Sequence, residues 1–237
     1  MPQADGMPQG PMAMTLFDTF FNIGVLGDAF PALLRGLINT FILGIAGIGF
    51  GIPLGLVIGL LRLYGPKPVR YVSVFYIDIL RASPMLVVLM VMYFALPFVG
   101  IRLSSWTCAI LAFTIVMAAY MAEVFRSGIE GIPKGQFEAA AALGLPFVVT
   151  LRKVILPQAI RVVIPPATNN CVSMFKDTSL ASTVALAELM KEGLDAQALY
   201  ANPTPLIGAA LIYIAFLWPM VRLVGLLEKK FSKEKTR

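Results

Sequence analysis

The 237-residue chain has no histidine and only two cysteines, Cys108 and Cys171, each alone inside an apolar stretch. Those absences leave no support for a histidine-based metal site or proton relay, and no spacing that reads as a disulfide framework. Charge is also scarce: 14% of residues are charged, against roughly 25% in soluble globular domains. No Gly-x-x-x-x-Gly-Lys-Ser/Thr segment occurs, so a phosphate cradle of the Walker type is missing. The first 14 residues lack Lys and Arg altogether. They read as a disordered Pro/Gly/Gln/Met tail (1–14) rather than a signal peptide.

Apolar residues are abundant, at 58% of the chain with a mean hydropathy of +0.82. The formal charge of +6 raises the question of nucleic acid. The basic residues, however, fall in short clusters between long apolar runs, which is a topology signal and argues against nucleic-acid binding. Five stretches satisfy the roughly 20 apolar residues that a spanning helix needs: about 33–63, 71–98, 105–125, 161–181 and 206–227. With the N-terminus outside, 14 of the 19 Lys and Arg lie on the inner side. Arg35, Arg102 and Lys191 lie outside, and Arg81 and Lys176 lie within membrane segments. The bias predicts an odd number of spans, N-terminus out and C-terminus in.

Residues 15–30 are apolar but carry Asp18, Asn22 and Asp28, and are expected to form an amphipathic helix on the outer membrane surface. Residues 31–230 then form one transmembrane domain, and 231–237 a basic cytoplasmic tail. In the first span Gly47, Gly51, Gly55 and Gly59 recur every four residues and stack on one helix side. Packing within the chain is the favoured reading; an interface with a second chain is the alternative.

The inner loop at about 128–160 is far longer than the others and is not loop-like in composition. Residues 138–143 form an Ala-rich helix former, Gly144 can end it, and Pro146 follows as a stop. A second helix is predicted over 146–155, with Phe147 and Leu151 on one face, broken by Leu156-Pro157. The result is a compact projection of two short helices. The bland alternative is a hairpin that merely rests on the membrane.

This loop resembles the EAA motif of prokaryotic ABC importer permeases: Glu138-Ala139-Ala140, then Gly144, then Val154-Ile155-Leu156-Pro157. Val154 stands where the pattern has isoleucine. The resemblance extends over about 33–231 and is similar to the polar amino acid uptake subfamily, of histidine, glutamine, glutamate and arginine type. It rests there on Arg81-Ala82-Ser83-Pro84, on 122–129, on 132–136 and on 175–180. Ala82-Ser83 departs from the usual Gly-Thr. The resemblance implies an all-α integral membrane fold of five transmembrane helices, in the type I importer architecture, in the bacterial inner membrane. It also implies that Glu138, Ala139, Ala140, Gly144, Leu156 and Pro157 couple to a cytoplasmic ATPase dimer, which binds ATP and Mg. No cofactor is then expected in this chain, and it is no enzyme itself. A second permease chain, identical or different, and an extracytoplasmic substrate-binding protein complete the implied assembly, with a small polar amino acid as cargo.

Ionisable groups at membrane depth are costly and mark functional candidates. Arg81 lies three residues after Asp78, so a self-neutralised pair and a substrate contact are both open, and Ser83-Pro84 then breaks the helix. Glu123 and Arg126, also three apart, read as structural support for the loop. In the fourth span Asn169, Ser173 and Lys176/Asp177, with Thr178, form a polar stripe expected to line a pathway. Lys176 and Asp177 either bind the two charges of an amino acid or neutralise each other. The competing class is an ion-coupled secondary transporter or channel without an ATPase, which has no need of the helical projection.

Overall fold

The structure, a computed structural model, describes residues 19–234. It is helical throughout, with no strand among the described residues. Helix α1 (Ile23–Tyr64) is followed by α2 (Lys67–Ala82) and α3 (Met85–Met90). A π turn (Val91–Ala95) and a 3-10 turn (Leu96–Val99) extend α3. Next come α4 (Ser105–Glu130) and α5 (Lys134–Ala142). Helix α6 (Phe147–Thr150) passes through a π turn (Leu151–Ile155) into α7 (Leu156–Asp177), which ends in a 3-10 turn (Thr178–Val184). Helices α8 (Leu189–Tyr200) and α9 (Thr204–Glu234) close the chain.

Among the described residues, three helices are long and apolar enough to cross a membrane: Ile23–Tyr64, Ser105–Glu130 and the Thr204–Lys229 part of α9. The expected second span is not one straight helix. It is bent by 106° between Lys67–Ala82 and Met85–Val99. The residue before a proline is driven out of the α region, and Ser83 is extended at φ −86°, ψ 132°. The expected fourth span is the 22-residue α7, whose Asn, Lys and Asp residues lower its hydropathy. The separate surface helix over 15–30 is also corrected. Residues 15–18 lie outside the described residues, and the chain leaves helical geometry at 21–22. Asn22 then caps α1 by accepting from the Val25 N–H, so residues 23–30 are the first turns of that long helix.

Helix α4 is the buried centre of the bundle and α1 lies along it. The four-residue glycine ladder makes that contact within the chain. A Cβ at Gly47 would stand 2.8 Å from Phe113 Cβ, at Gly51 2.6 Å from Met117 Cβ, and at Gly55 2.6 Å from Met121 Cβ. At Gly59 it would stand 2.9 Å from the Ala122 carbonyl. Two rows with the same spacing thus interlock, and the backbones approach more closely than any side chain on α1 permits. Further along, Gly36 meets the Leu189 backbone, and Phe41, Phe175 and Phe216 make edge contacts that tie α7 and α9 to α1.

A Gly55→Val variant is expected to lose about 2 kcal/mol or more of stability through overpacking against the α4 backbone. Gly49→Ala, where nothing lies within 4 Å, is expected to be neutral or slightly stabilising. Thermal unfolding of the purified variants in detergent checks both; equal losses at the two positions would contradict the ladder.

Candidate coupling loop and translocation site

Helix α5 carries the Glu138-Ala139-Ala140 segment. Ala140 is buried, whereas Glu138, Ala139, Ala141 and Ala142 face outward. Gly144 has φ +71°, the left-handed region, with no atom within 4 Å of a built Cβ. It is therefore required for conformation, not for space. The Gly144 N–H donates to the Ala141 carbonyl at 2.9 Å, and the Leu145 N–H to the Ala140 carbonyl at 3.1 Å. That is a Schellman closure of the helix. It turns Leu143, Leu145, Phe147 and Val148 out of the bundle, with Leu143 78% exposed and Val148 70%. Beneath them Ile129, Ile132, Ile155 and Ala159 form a small core that seats the projection on α4 and α7.

The expected break at Leu156-Pro157 is absent. Leu156 is helical at φ −60°, ψ −42°, and the chain runs on from α6 into α7. A proline ring clashes with the carbonyl four residues earlier, here Lys153. Lys153 lies in the π turn, whose wider ladder relieves that clash. The second loop helix is consequently continuous with α7, which carries Pro165 and Pro166 farther along.

Glu123 is the charged hub of the bundle. Arg62 from α1 donates to its Oε2 at 2.9 Å, and Arg126 from α4 donates to its Oε1 at 2.6 Å. Arg81 from α2 approaches Oε1 at 3.8 Å. Arg126 also pairs with Glu130. The Asp78–Arg81 pair does not form, and Asp78 has no ion pair among the described residues. The Glu123–Arg126 pair is as expected from sequence; the convergence of Arg62 and Arg81 on it was not legible, because both are distant in the chain.

One cavity, of about 380 Å³, combines polar and apolar walls. Asn170, Ser173 and Asp177 of α7 line it, opposite Ser83 and Tyr120, with Met85, Met117 and Met174 among the apolar walls. Of the expected stripe, Ser173 and Asp177 are here together. Asn169 is exposed and is replaced at the cavity by Asn170, since 170, 173 and 177 recur at helical spacing just as 169, 173 and 176 do. Lys176 points elsewhere, into a groove with Met190 and Tyr213, and forms no ion pair with Asp177. Thr178 is a correction: it is fully buried, and its hydroxyl donates to the Phe175 carbonyl at 2.7 Å.

A buried carboxylate, Glu188, was not anticipated. It caps α8 by accepting from the Met190 and Lys191 N–H groups, and accepts from the Tyr213 hydroxyl at 2.8 Å. Burial raises its pKa, opposed by those donors. The adjoining strap is fixed to α1, where Asn39 donates to the Ala187 carbonyl and the Leu189 N–H donates to Thr40.

Comparison with known proteins bears on this geometry. The family described as binding-protein-dependent transport system inner membrane component matches residues 51–233. The probable amino-acid ABC transporter permease protein YckA of Bacillus subtilis is 34% identical over 91% of this chain and 96% of its own length. The L-cystine transport system permease protein TcyB of the same organism is 38% identical over 81% and 84%. The glutamine transport system permease protein GlnP of Escherichia coli K12 is 36% identical over 73% and 80%. Among solved structures, a chain of an amino acid ABC transporter crystallised with histidines superposes with TM-score 0.80 at 31% identity, covering 86% of this chain and 96% of that one. A chain of the inward-facing methionine transporter MetNI matches in fold, with TM-score 0.66 at 20% identity, covering 88% and 97%.

In a background lacking Cys108 and Cys171, a cysteine at Ser173 is expected to react with a membrane-impermeant thiol reagent in inside-out vesicles or proteoliposomes. One at Thr178 is expected to remain at least about tenfold slower, because closed packing excludes the reagent. Equal rates at both positions would show that the cavity wall is misassigned.

Proposed function

Because the chain belongs to the family of binding-protein-dependent transport system inner membrane components, we propose that it is the permease of an amino-acid importer whose energy comes from a separate ATPase. The curated relatives that it matches over most of their length are amino-acid permeases, and their cargo is taken as the class carried here. On this reading the chain crosses the bacterial inner membrane five times, with α2–α3 as one bent span and α7 as another. The N-terminus is outside and the C-terminus inside. Two permease chains share the pathway, an ATPase dimer binds ATP and Mg, and an external binding protein delivers the amino acid.

The observation that carries the proposal is the loop formed by α5, Gly144 and α6. An isolated helix as short as α5 is not stable by itself, yet this one is held by its Schellman closure and by Phe137 packed against the small core of Ile129, Ile132, Ile155 and Ala159. It presents a slim Ala face and the outward Leu143, Phe147 and Val148, a shape that fits a groove on another protein. Since α6 is continuous with α7, the loop and the cavity-lining Asn170, Ser173 and Asp177 sit on one run of helix, with Pro165 and Pro166 between them, and on this reading movement at the loop reaches the cavity along it. ATP-driven movement at one end of a rod and a polar cavity along it are the parts of an alternating-access device. Ser83, Ser173 and Asp177, with Asn170, line the substrate route, and Asp177 meets the substrate's amino group.

A Gly144→Leu variant tests the loop. Forcing a branched side chain into the left-handed region is strained by roughly 1–3 kcal/mol, and the substitution is expected to cut ATP-driven uptake by tenfold or more. ATP hydrolysis by the assembled complex and membrane insertion should persist. Undiminished uptake in proteoliposomes would sink the coupling role of this loop.

A further inference from the structure

The cluster around Glu123 contains three arginines, Arg62, Arg81 and Arg126, but only two carboxylates, Glu123 and Glu130. It therefore carries one surplus positive charge, which an anion reaching the cluster would offset. The surplus is localised. Arg62 and Arg126 contact Glu123 at 2.9 and 2.6 Å, whereas Arg81 stands off at 3.8 Å with 40% of its side chain exposed. Asp78 does not relieve it, since it forms no ion pair with Arg81.

The loosely held guanidinium belongs to a helix end whose next residues, Ser83 and Pro84, line the cavity. Arg81 is two residues before Ser83, and Glu123 is three residues after Tyr120 on the same helix; Ser83 and Tyr120 both line the cavity wall. Asp177 is the one charged residue in that lining. The site thus has an anion within it and an incompletely paired cation on the adjoining helix end, whereas Lys176 faces a different groove.

We infer that Arg81 receives the α-carboxylate of the transported amino acid, exchanging its long contact with Glu123 for a bidentate pair with the substrate. Guanidinium and carboxylate match as two parallel hydrogen bonds, a geometry that a 3.8 Å contact does not achieve. Glu123 acts as a positioning residue: held by Arg62 and Arg126 on α1 and α4, it keeps Arg81 in place without gripping it. The inference rests on the amino-acid permease reading and adds a chemical requirement to it. The cargo must present a free carboxylate, and an amide or ester of the same amino acid is discriminated against.

The test uses the assembled permease–ATPase complex in nanodiscs, without binding protein. ATP hydrolysis is measured against L-glutamine, L-arginine and L-cystine, and against their α-carboxamides. The wild type is expected to favour the free acid of its responsive amino acid by about tenfold to a hundredfold in half-maximal concentration, the worth of a charge-assisted pair. Arg81→Gln should bring that ratio close to one, Arg81→Lys should restore part of it, and Lys176→Gln should leave it intact. A lowered response to the amides in Arg81→Gln equal to the loss for the acids would mark general damage and overturn the assignment, as would retained discrimination. A wild-type complex indifferent to every amino acid in the panel would overturn this inference, while the chain's membership of the permease family would stand.

Discussion

Close approach of α1 to α4 is the constraint on which the rest of the structure depends. A membrane interior offers no hydrophobic drive for helices to leave lipid, so association relies on dispersion contact and on backbone proximity. Gly47, Gly51, Gly55 and Gly59 provide that proximity by meeting Phe113, Met117, Met121 and Ala122 in register. Once the two helices are locked, Arg62 at the end of α1 falls beside Glu123 on α4, and a carboxylate that would be prohibitive in lipid gains a 2.9 Å partner. The charge hub is therefore a consequence of the glycine ladder, although the two lie far apart in the chain.

The second organising feature is the way proline is used. At Ser83-Pro84 it breaks the helix and bends the chain by 106°, and Ser83 and Pro84 line the cavity. At Leu156-Pro157 the same residue type sits just beyond a π turn and leaves the helix intact. The preceding residue makes the difference: Ser83 is extended, whereas Leu156 stays helical, as do the residues before Pro31, Pro53, Pro165, Pro166 and Pro219 inside their helices. One proline thus shapes the cavity wall, while at the other the loop helix runs on into α7.

Polar groups in α7 illustrate how a membrane helix divides its faces. Asn170, Ser173 and Asp177 face the cavity, Lys176 a separate groove, and Thr178 the packed interior. The Met-rich walls opposite the polar face are soft and adaptable. Around Asn39 and Thr40 of α1, Glu188 gathers α8, α9 and α1 through backbone N–H groups, Tyr213 and the strap at Ala187–Leu189, so that end of the bundle is also closed by hydrogen bonds rather than by apolar contact alone.

The sequence by itself determined the helical class, the loop with its Gly144 turn, the glycine ladder and the break before Pro84. Each of these follows from local rules: hydrophobic length, the left-handed preference of glycine, four-residue spacing and the steric clash of a proline ring. The Glu123–Arg126 pair was legible for the same reason, being three residues apart on one helix. Only the tertiary structure decided which partners distant charges take. Arg81 turns to Glu123 rather than to its neighbour Asp78, and Asn170 rather than Asn169 reaches the cavity. Helical periodicity leaves two adjacent stripes equally available, and the choice between them is made by where α1, α2 and α4 pack around α7, a matter of long-range contact that no local spacing encodes.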